Sequence, residues 1–311
     1  MKVMVTGGAG FIGSHLVDGL IASGHDVLVV DNLSRGHRAN LNPRSRFYEI
    51  DIRDPTLDDV IATEEPEVVC HQAALANVRE AMDNPILYAN VNILGTLNLL
   101  EACRRHGVRK VVYASTGGAV YGEPVVLPVP ENHPINPLDP YGASKPHVEH
   151  YLYLYRSNYD LDYTILRYPN VYGPRQDPLG EAGVVAIFLG KLLSGSQPTI
   201  NGSGEQERDF VYVADIVRGN LLALSAGSGG TYNLGRGVGV SINCVFERLA
   251  CLTGYVDSPH YGPAKQGEVS RIYLDSTRAA RHLGWRPEVS LEEGLTRTAD
   301  YFAHGSVGQG A

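Results

Sequence analysis

The first two-thirds of the chain alternate short apolar runs with longer amphipathic segments. Val3–Thr6 and Asp26–Asp31 are mostly apolar runs, and between them Ile12, Leu16 and Leu20 recur every four residues. Continuous apolar runs are typical of strands buried on both faces of a parallel sheet, whereas a four-residue spacing is typical of an amphipathic helix. This part of the sequence therefore predicts a strand, a helix and a second strand.

The same rhythm continues further along the chain. Glu67–His71 and Arg109–Ser115 have the pattern of buried strands, a helical stretch runs from about Pro85 to His106, and another helix follows Tyr141. Strands that alternate with helices form parallel sheets with right-handed crossovers. The pattern predicts an α/β fold with a Rossmann-type doubly wound parallel sheet.

The rhythm becomes less regular after about residue 170, where glycine and proline are frequent. We expect residues 1–170 to form the first domain, with a later segment at about 210–235 returning to it. Residues 171–304 are expected to form mainly a smaller C-terminal α/β domain. The glycine-rich end, 305–311, is expected to be a flexible tail.

Composition and charge narrow the class of protein. The 311 residues are 43% hydrophobic and carry a formal net charge of −8, which disfavours broad contacts with nucleic acid or anionic membranes. The chain begins at once with a strand-like segment, and no apolar run approaches the roughly 20 residues of a membrane span, so we expect a soluble, cytoplasmic protein. The four cysteines are far apart and lack metal-ligand spacing, which predicts reduced, mostly buried thiols and no metal site.

A glycine-rich segment joins the first strand to the first helix. Gly7, Gly10 and Gly13 allow a sharp turn and a close approach of backbone to a pyrophosphate at the helix N-terminus. Asp31 ends the second strand about 20 residues downstream, where a carboxylate can accept from both ribose hydroxyls and repel a 2′-phosphate. The pattern predicts NAD rather than NADP, although Arg35 is close enough in sequence to welcome that phosphate.

Tyr141 and Lys145 open a predicted helix. Their spacing places both side chains on one face. A tyrosine with its ordinary pKa of about 10 is a poor base at neutral pH, but a nearby ammonium and a positively charged nicotinamide would lower that pKa toward 7. The pair therefore predicts general acid–base catalysis coupled to hydride transfer.

These motifs, with others in the same order, make the chain similar to the extended short-chain dehydrogenase/reductase family, and within it to the UDP-glucose (UDP-galactose) 4-epimerases. The resemblance runs from Thr6 to about Trp285. The segments that carry it are Thr6–Gly13, Asp31–Leu33, Asp51–Asp54, His71–Ala74, Asn92–Thr96, Ser115–Gly122, Tyr141–Lys145, Leu166–Pro174 and Arg208–Asp215.

The resemblance implies a cofactor site and a substrate site. Residues 1–170 would then be the NAD-binding domain, and 171–304 would mainly bind the substrate. The implied NAD contacts are Gly7, Gly10, Phe11, Ile12, Gly13, Asp31, Asn32, Ser34, Asp51, Ile52, Ala73, Ala74, Asn92, Ser115, Tyr141, Lys145, Tyr168 and Pro169. The implied UDP-sugar contacts are Thr116, Tyr141, Asn170, Val184, Ile200, Arg208, Lys265, Glu268 and Ile272.

Two departures from the family pattern stand out. Gly117 occupies the position usually given to a catalytic serine, and Thr116, one residue earlier, is the candidate to replace it, so the predicted catalytic residues are Tyr141, Lys145 and Thr116. Lys265 replaces the usual arginine of the substrate loop, which keeps the charge but loses the bidentate fork.

The resemblance also bears on the reaction. Sugar 4,6-dehydratases carry an Asp-Glu pair where this chain has Gly117 and Gly118. This favours NAD-dependent epimerisation at C4 of a UDP-hexose: Tyr141 takes the 4-hydroxyl proton, hydride passes to NAD and returns to the opposite face of a 4-keto sugar.

Several alternatives stay open at this stage. The chain could act on a UDP-N-acetylhexosamine, which the small Ile272 favours, or on a UDP-uronic acid. It could be another nucleotide-sugar oxidoreductase, or a non-catalytic dinucleotide sensor. Surplus apolar residues on the two long helices predict a homodimer that uses two helices per subunit.

Overall fold

The computed structural model describes residues 1–178, 183–264 and 269–305. Its strands are β1 (Lys2–Thr6), β2 (Asp26–Asp31), β3 (Arg46–Glu49), β4 (Val68–His71), β5 (Lys110–Thr116), β6 (Asp162–Tyr168), β7 (Asn170–Tyr172), β8 (Thr199–Asn201), β9 (Glu207–Arg208), β10 (Phe210–Tyr212), β11 (Gly230–Asn233), β12 (Val240–Ser241), β13 (His260–Gly262) and β14 (Arg271–Ile272).

The α-helices alternate with these strands in the first half of the chain. They are α1 (Phe11–Ala22), α2 (Thr56–Glu64), α3 (Val78–Asp83), α4 (Pro85–Ala89), α5 (Thr96–Arg105), α6 (Pro140–Tyr159), α7 (Val184–Leu193), α8 (Val213–Ala223), α9 (Ile242–Thr253), α10 (Thr277–His282) and α11 (Leu291–Gly305).

A seven-stranded sheet forms the centre of the molecule, with strand order β11-β6-β5-β4-β1-β2-β3 and parallel pairing throughout. This confirms the predicted doubly wound Rossmann-type sheet. The order of strands reverses between β1 and β4, and ligands of such sheets bind at the carboxyl ends of the strands beside that reversal. The apolar pattern did not predict β3. Its residues are only partly buried or exposed, so its sequence lacks a continuous apolar run.

Helices cover both faces of this sheet. Leu16 and Leu20 of α1 are fully buried together with residues of α8 on one face. Leu99 and Leu100 of α5 and Leu152 of α6 are buried on the other. Burying one such leucine contributes about 1.5–3 kcal/mol, so the apolar spacing seen in the sequence is the main force holding each helix to the sheet.

The predicted helix from Pro85 to His106 consists of α4, a π-helical segment at Asn90–Gly95, and α5. Pro85–Arg105 contains 21 residues and is, by length and composition, apolar enough to cross a membrane, contrary to the sequence prediction. This is weak evidence for a span, because a core helix passes the same test, and Leu99 and Leu100 bury this helix against the sheet. The cytoplasmic location stays a prediction.

A second cluster of apolar side chains lies beyond the main sheet, where α7, α9 and α11 bury Phe188, Leu249 and Leu295. Small sheets accompany it, namely β7 with β10, β8 with β13, and β9 with β12 and β14. The chain returns to the main sheet at β11. Gly305 ends α11, and residues 306–311 of the predicted tail lie outside the described residues.

The four cysteines are free thiols. Cys70 and Cys103 are buried in the apolar clusters that flank the main sheet. Cys244 is half-buried and Cys251 is exposed, because α9 turns the face that carries Cys251 toward solvent. The prediction of mostly buried thiols therefore holds for only two of the four cysteines. Among the described residues, no cluster of three His, Cys, Asp or Glu side chains is arranged to hold a metal ion.

Candidate active site

A cavity of about 550 Å³ opens at the carboxyl ends of the central strands. It is lined by the loop between β1 and α1, by the ends of β2, β4 and β5, and by the first turn of α6. This volume is in the range that holds cofactors and drug-sized ligands. The cavity therefore lies beside the reversal of strand order, as expected for a doubly wound sheet.

The glycine loop turns sharply at the base of this cavity. Gly7 has φ +70°, and a Cβ atom added at Gly13 would lie 2.0 Å from the Gly7 carbonyl oxygen. The Gly10 N–H donates to that same oxygen over 3.1 Å. Only glycines allow the turn and let the first turn of α1 approach the cavity, so the loop fits a pyrophosphate at a helix N-terminus.

Asp31 lies at the end of β2 with 8% of its surface exposed. Its two carboxylate oxygens accept the Ala9 N–H at 3.0 Å and the Leu33 N–H at 2.8 Å. Burial raises the pKa of Asp31, and the two backbone hydrogen bonds oppose that shift. The carboxylate is thus fixed in the cavity wall with lone pairs left for ribose hydroxyls.

Asp51 is fixed by two side chains at the same end of the cavity. Arg53 pairs with it at 2.8 Å and Asn32 donates to it at 2.8 Å. These bonds, that from Arg53 above all, hold the pKa of Asp51 at about 2. Together with the glycine loop and Asp31, these residues fit the adenosine and diphosphate portions of NAD.

Arg35, which the sequence left as a possible 2′-phosphate ligand, is paired with an acidic residue. Its guanidinium lies 2.6 Å from the Glu80 carboxylate of α3, and both residues line the cavity. The Tyr88 hydroxyl donates to the same carboxylate at 3.1 Å and holds it in place. The two partners are 45 residues apart in sequence, so no local pattern could reveal the pair.

Replacing Glu80 with glutamine is expected to raise the affinity for NADP. The change frees the Arg35 guanidinium and removes a negative charge from the cavity. An exposed pair of this kind is worth up to about 1 kcal/mol, so we expect an increase of up to about 5-fold, with a smaller change for NAD. Competition of NADP against bound NAD would measure it.

The matched control is Glu101→Gln, which removes a carboxylate that pairs with Arg104 and does not line the cavity. Equal NADP affinities in the two variants would contradict a role for Glu80 in cofactor selection.

Tyr141, Lys145 and Thr116 meet at the opposite end of the cavity, where α6 begins beside the end of β5. Asp139 caps α6 by accepting the Gly142 N–H at 2.8 Å. The Lys145 ammonium lies 5.8 Å from the Tyr141 ring centroid and donates to the Ala114 carbonyl oxygen at 2.8 Å. Thr116 lines the same cavity and lowers the pKa of the Tyr141 phenol.

Burial dominates the ionisation of Tyr141. Burial raises the pKa of Tyr141 to about 12, and the hydrogen bond from Thr116 only partly opposes this shift. Burial also lowers the pKa of Lys145 to about 8, against the attraction of Glu149. Because a buried phenol resists ionisation, Lys145 alone does not bring it near pH 7, and a further positive charge such as a nicotinamide ring is required.

Side chains placed at positions 117 and 118, the two glycines after Thr116, would point in different directions. A Cβ atom at Gly117 would lie 2.3 Å from Leu274 Cδ1, so a serine side chain there would meet the apolar wall. A Cβ atom at Gly118 would lie 3.7 Å from Thr116 Oγ1 and 3.8 Å from Asn170 Oδ1. The position that faces the site is therefore 118, and it carries no side chain.

A row of buried polar groups connects β1 to the catalytic helix. His71 lies between the hydroxyls of Thr6 and Thr96 at 2.6 and 2.8 Å, and burial lowers its pKa to about 3, which keeps it neutral. Thr96 donates to the carbonyl of Asn92, whose amide donates to Ser144 Oγ at 3.0 Å. Ser144 in turn donates to the Tyr141 carbonyl.

Asn92 thus contacts both α6 and the loop after β4. In that loop the Asn92 side-chain oxygen accepts the Leu75 N–H, and the Asn92 side-chain amide donates to the Leu75 carbonyl oxygen, each at 2.9 Å. The π-helical turn directs the Asn92 side chain inward, where it supports the cavity wall without lining it. Of these hydrogen-bonded residues, the sequence predicted a role only for Asn92. Threonine and histidine residues that are buried in a fold do not recur at a spacing that distinguishes them from exposed ones.

Most of the predicted site residues line the cavity. Those that do are Gly7, Gly10, Phe11, Ile12, Gly13, Asp31, Asn32, Ser34, Asp51, Ile52, Ala73, Ala74, Ser115, Thr116, Tyr141, Lys145, Tyr168, Pro169, Asn170 and Arg208.

The remaining predicted residues are placed elsewhere. Val184 belongs to the second apolar cluster and Ile200 is buried in it. Ile272 is 2% exposed and packs with Tyr121 and Leu274 in a small separate cluster. Lys265 and Glu268 lie outside the described residues. Lining residues that the sequence reasoning did not identify include Gly36, His37, Gln72, Leu75, Gln176 and Asp177.

Comparison with known proteins identifies relatives along nearly the whole chain. The profile of the NAD dependent epimerase/dehydratase family matches residues 3–235. A putative UDP-glucose 4-epimerase of Methanocaldococcus jannaschii is 50% identical over 299 residues, which cover 96% of this chain and 97% of that protein.

Solved structures are equally similar. A UDP-glucose 4-epimerase from Thermotoga maritima, crystallised with UDP-glucose, matches with a TM-score of 0.97 and 49% identity over 98% of this chain and 100% of that chain. The UDP-glucose 4-epimerase of Thermus thermophilus, in complex with NAD, matches with a TM-score of 0.93 and 44% identity, covering 98% and 99% of the two chains. The chain therefore belongs to the NAD-dependent epimerase/dehydratase family, and it is an NAD-dependent sugar epimerase.

Proposed function

We propose that this enzyme interconverts the C4 epimers of a UDP-hexose, UDP-glucose and UDP-galactose, through a 4-keto sugar. The proposal depends on which side chains meet at the reaction centre. The buried Tyr141 phenol and the Thr116 hydroxyl line the same cavity, Thr116 lowers the pKa of that phenol, and the residue that faces the site at this point is Gly118. A dehydratase needs an acid at this point to eliminate water, whereas an epimerase removes and returns the same hydrogens and needs none.

The chain's own residues divide the work of this reaction. Tyr141 accepts the proton of the sugar 4-hydroxyl and later returns it, while the Lys145 ammonium stabilises the phenolate. Thr116 hydrogen-bonds the phenol and the 4-oxygen. When bound, NAD supplies the oxidation at C4 and the matching reduction. Asn170 and Arg208, which line the same cavity, are proposed to hold the nucleotide half while the sugar ring turns over.

The substrate is tested with purified protein and UDP-galactose, without added cofactor. We expect UDP-glucose to form while bound NAD is neither released nor consumed. Failure to convert any UDP-hexose, or a need for stoichiometric NADH, would refute the proposal. Turnover of UDP-N-acetylglucosamine or a UDP-uronic acid at a higher kcat/KM than UDP-galactose would favour the alternative substrates.

Thr116→Val is expected to lower kcat by roughly 10- to 150-fold, since a hydrogen bond to a charged group is worth about 1.5–3 kcal/mol and valine keeps the side-chain volume. Thr116 lies at the end of β5 and its hydroxyl accepts the Gly118 N–H at 3.2 Å. Thr116→Ser, which retains the hydroxyl, is the control and should keep most of the activity. An active Thr116→Val enzyme would show that Thr116 does not replace the family's serine.

We also propose that the enzyme is a homodimer. Ile86 of α4 and Leu94 of the π-helical turn are 76% and 56% exposed, and Tyr153 of α6 is 55% exposed. Apolar side chains on two adjacent helices form a surface that a second copy would cover. Light scattering should give twice the chain mass of 33.7 kDa.

A further inference from the structure

A buried ion pair lies behind the catalytic face of α6. Glu149 follows Lys145 by four residues, so Tyr141, Lys145 and Glu149 share one helix face. Glu149 is 9% exposed, and Arg167 of β6 is 3% exposed. Arg167 donates to the carboxylate through Nε at 2.9 Å and also through Nη2. Both charges are therefore held close to the catalytic pair and away from water.

The carboxylate of this pair is tied to the same strand as the catalytic lysine. Ser115 Oγ donates to Glu149 Oε1 at 2.6 Å, and the Lys145 ammonium donates to the carbonyl of the preceding residue, Ala114, at 2.8 Å. The two charged groups thus bind consecutive residues of β5. Both groups are buried, where charges are screened less than in water, and the Glu149 carboxylate raises the pKa of Lys145.

Within residues 1–178, 183–264 and 269–305, Glu149 is the one negatively charged group that acts on the pKa of Lys145. The Tyr113 ring of β5 lies 5.0 Å from the ammonium, and burial raises the pKa of Tyr113 well above its ordinary value. Tyr141 is its neighbour on α6, and His71 of β4 is neutral. On β6 the charged partner of Glu149 is Arg167, whose positive charge offsets that of the carboxylate.

We propose that Glu149 is a positioning residue that keeps Lys145 protonated, and that Arg167 sets how much of the carboxylate's charge acts on the lysine. The inference rests on the proposed role of Lys145 in C4 epimerisation. Burial lowers the pKa of Lys145 to about 8, and Glu149 is the attraction that opposes this lowering. Without the carboxylate, Lys145 would lose its proton at a lower pH and Tyr141 would lose the cation that favours its phenolate.

The test is the pH dependence of kcat/KM for UDP-galactose. In Glu149→Gln the alkaline limb should move to lower pH by about one unit or more, the size of effect that a nearby charge has on a buried group. In Arg167→Gln the limb should move to higher pH, because the carboxylate then acts on Lys145 alone. A purely structural contribution of the pair would not shift the limb in opposite directions.

A matched control is Asp215→Asn. Asp215 is a 1% exposed carboxylate of α8 that pairs with Arg218 at 2.9 Å and does not line the cavity. Its loss should lower thermal stability and leave the alkaline limb where it is in the wild-type enzyme.

Coincident alkaline limbs in the wild type and Glu149→Gln, or shifts of both variants in one direction, would overturn the inference. If Glu149→Gln does not fold, the upward shift of Arg167→Gln decides the question alone. A wild-type enzyme that does not turn over UDP-galactose would refute the proposed function instead, so the two failures are distinguishable.

Discussion

Tyr141→Phe is expected to lower kcat for epimerisation by about 10²- to 10⁴-fold while the enzyme keeps its bound NAD. Phenylalanine preserves the ring, whose centroid lies 5.8 Å from the Lys145 ammonium, and removes only the hydroxyl group, whose pKa Thr116 lowers. The loss therefore falls on proton transfer rather than on packing. Turnover of UDP-galactose and the NAD released on denaturation would be measured together.

The matched control is Tyr155→Phe on the same helix. Tyr155 is 8% exposed, and its hydroxyl donates to Glu101 at 2.6 Å, outside the cavity. Its loss should leave kcat within a few-fold of the wild type. A Tyr141→Phe enzyme that keeps a tenth or more of wild-type activity would show that another group takes the proton.

Gly13→Ala is expected to weaken NAD binding by roughly 10- to 100-fold, which corresponds to the 1–3 kcal/mol typical of overpacking. The added methyl would lie 2.0 Å from the Gly7 carbonyl oxygen and 2.8 Å from the Gly7 carbonyl carbon. Both are backbone atoms, so relief requires opening the first turn of α1, where the pyrophosphate is expected to bind. Calorimetric titration of NAD into cofactor-free protein would give the change in Kd.

Gly107→Ala controls for the general cost of this substitution. Gly107 follows α5 with φ +70°, and no atom lies within 4 Å of an added Cβ. Its strain should lower the melting temperature without changing the Kd for NAD. Equal affinities in the Gly13 variant and the wild type would mean that the glycine loop tolerates a wider turn than its geometry indicates.

Local features of the sequence predicted the parts of the site that depend on spacing along one segment. Gly7, Gly10 and Gly13 require a tight turn wherever the loop lies, and the four-residue separation of Tyr141 from Lys145 puts both on one helix face. Asp31 follows from the length of a strand–helix–strand unit. These predictions needed no knowledge of which elements pack together.

Contacts between distant segments could not be predicted in this way. Arg35 meets Glu80, and His71 lies between Thr6 and Thr96, only because the loops and strands that carry them converge at one edge of the sheet. A charged or hydroxyl side chain looks the same in sequence whether it faces solvent or a partner. Its role is therefore decided by packing.

The segment from Thr116 to Gly118 shows most clearly what the sequence determines and what depends on packing. The sequence alone determined that a glycine pair follows Thr116 and that no carboxylate can act from it. Only the tertiary structure showed that Gly118 faces Asn170 while Gly117 faces Leu274, because the direction of a side chain depends on how β5 meets the segment at 274. The same packing encloses Glu149 and Arg167 behind Lys145, where their charges act through a poorly screening interior.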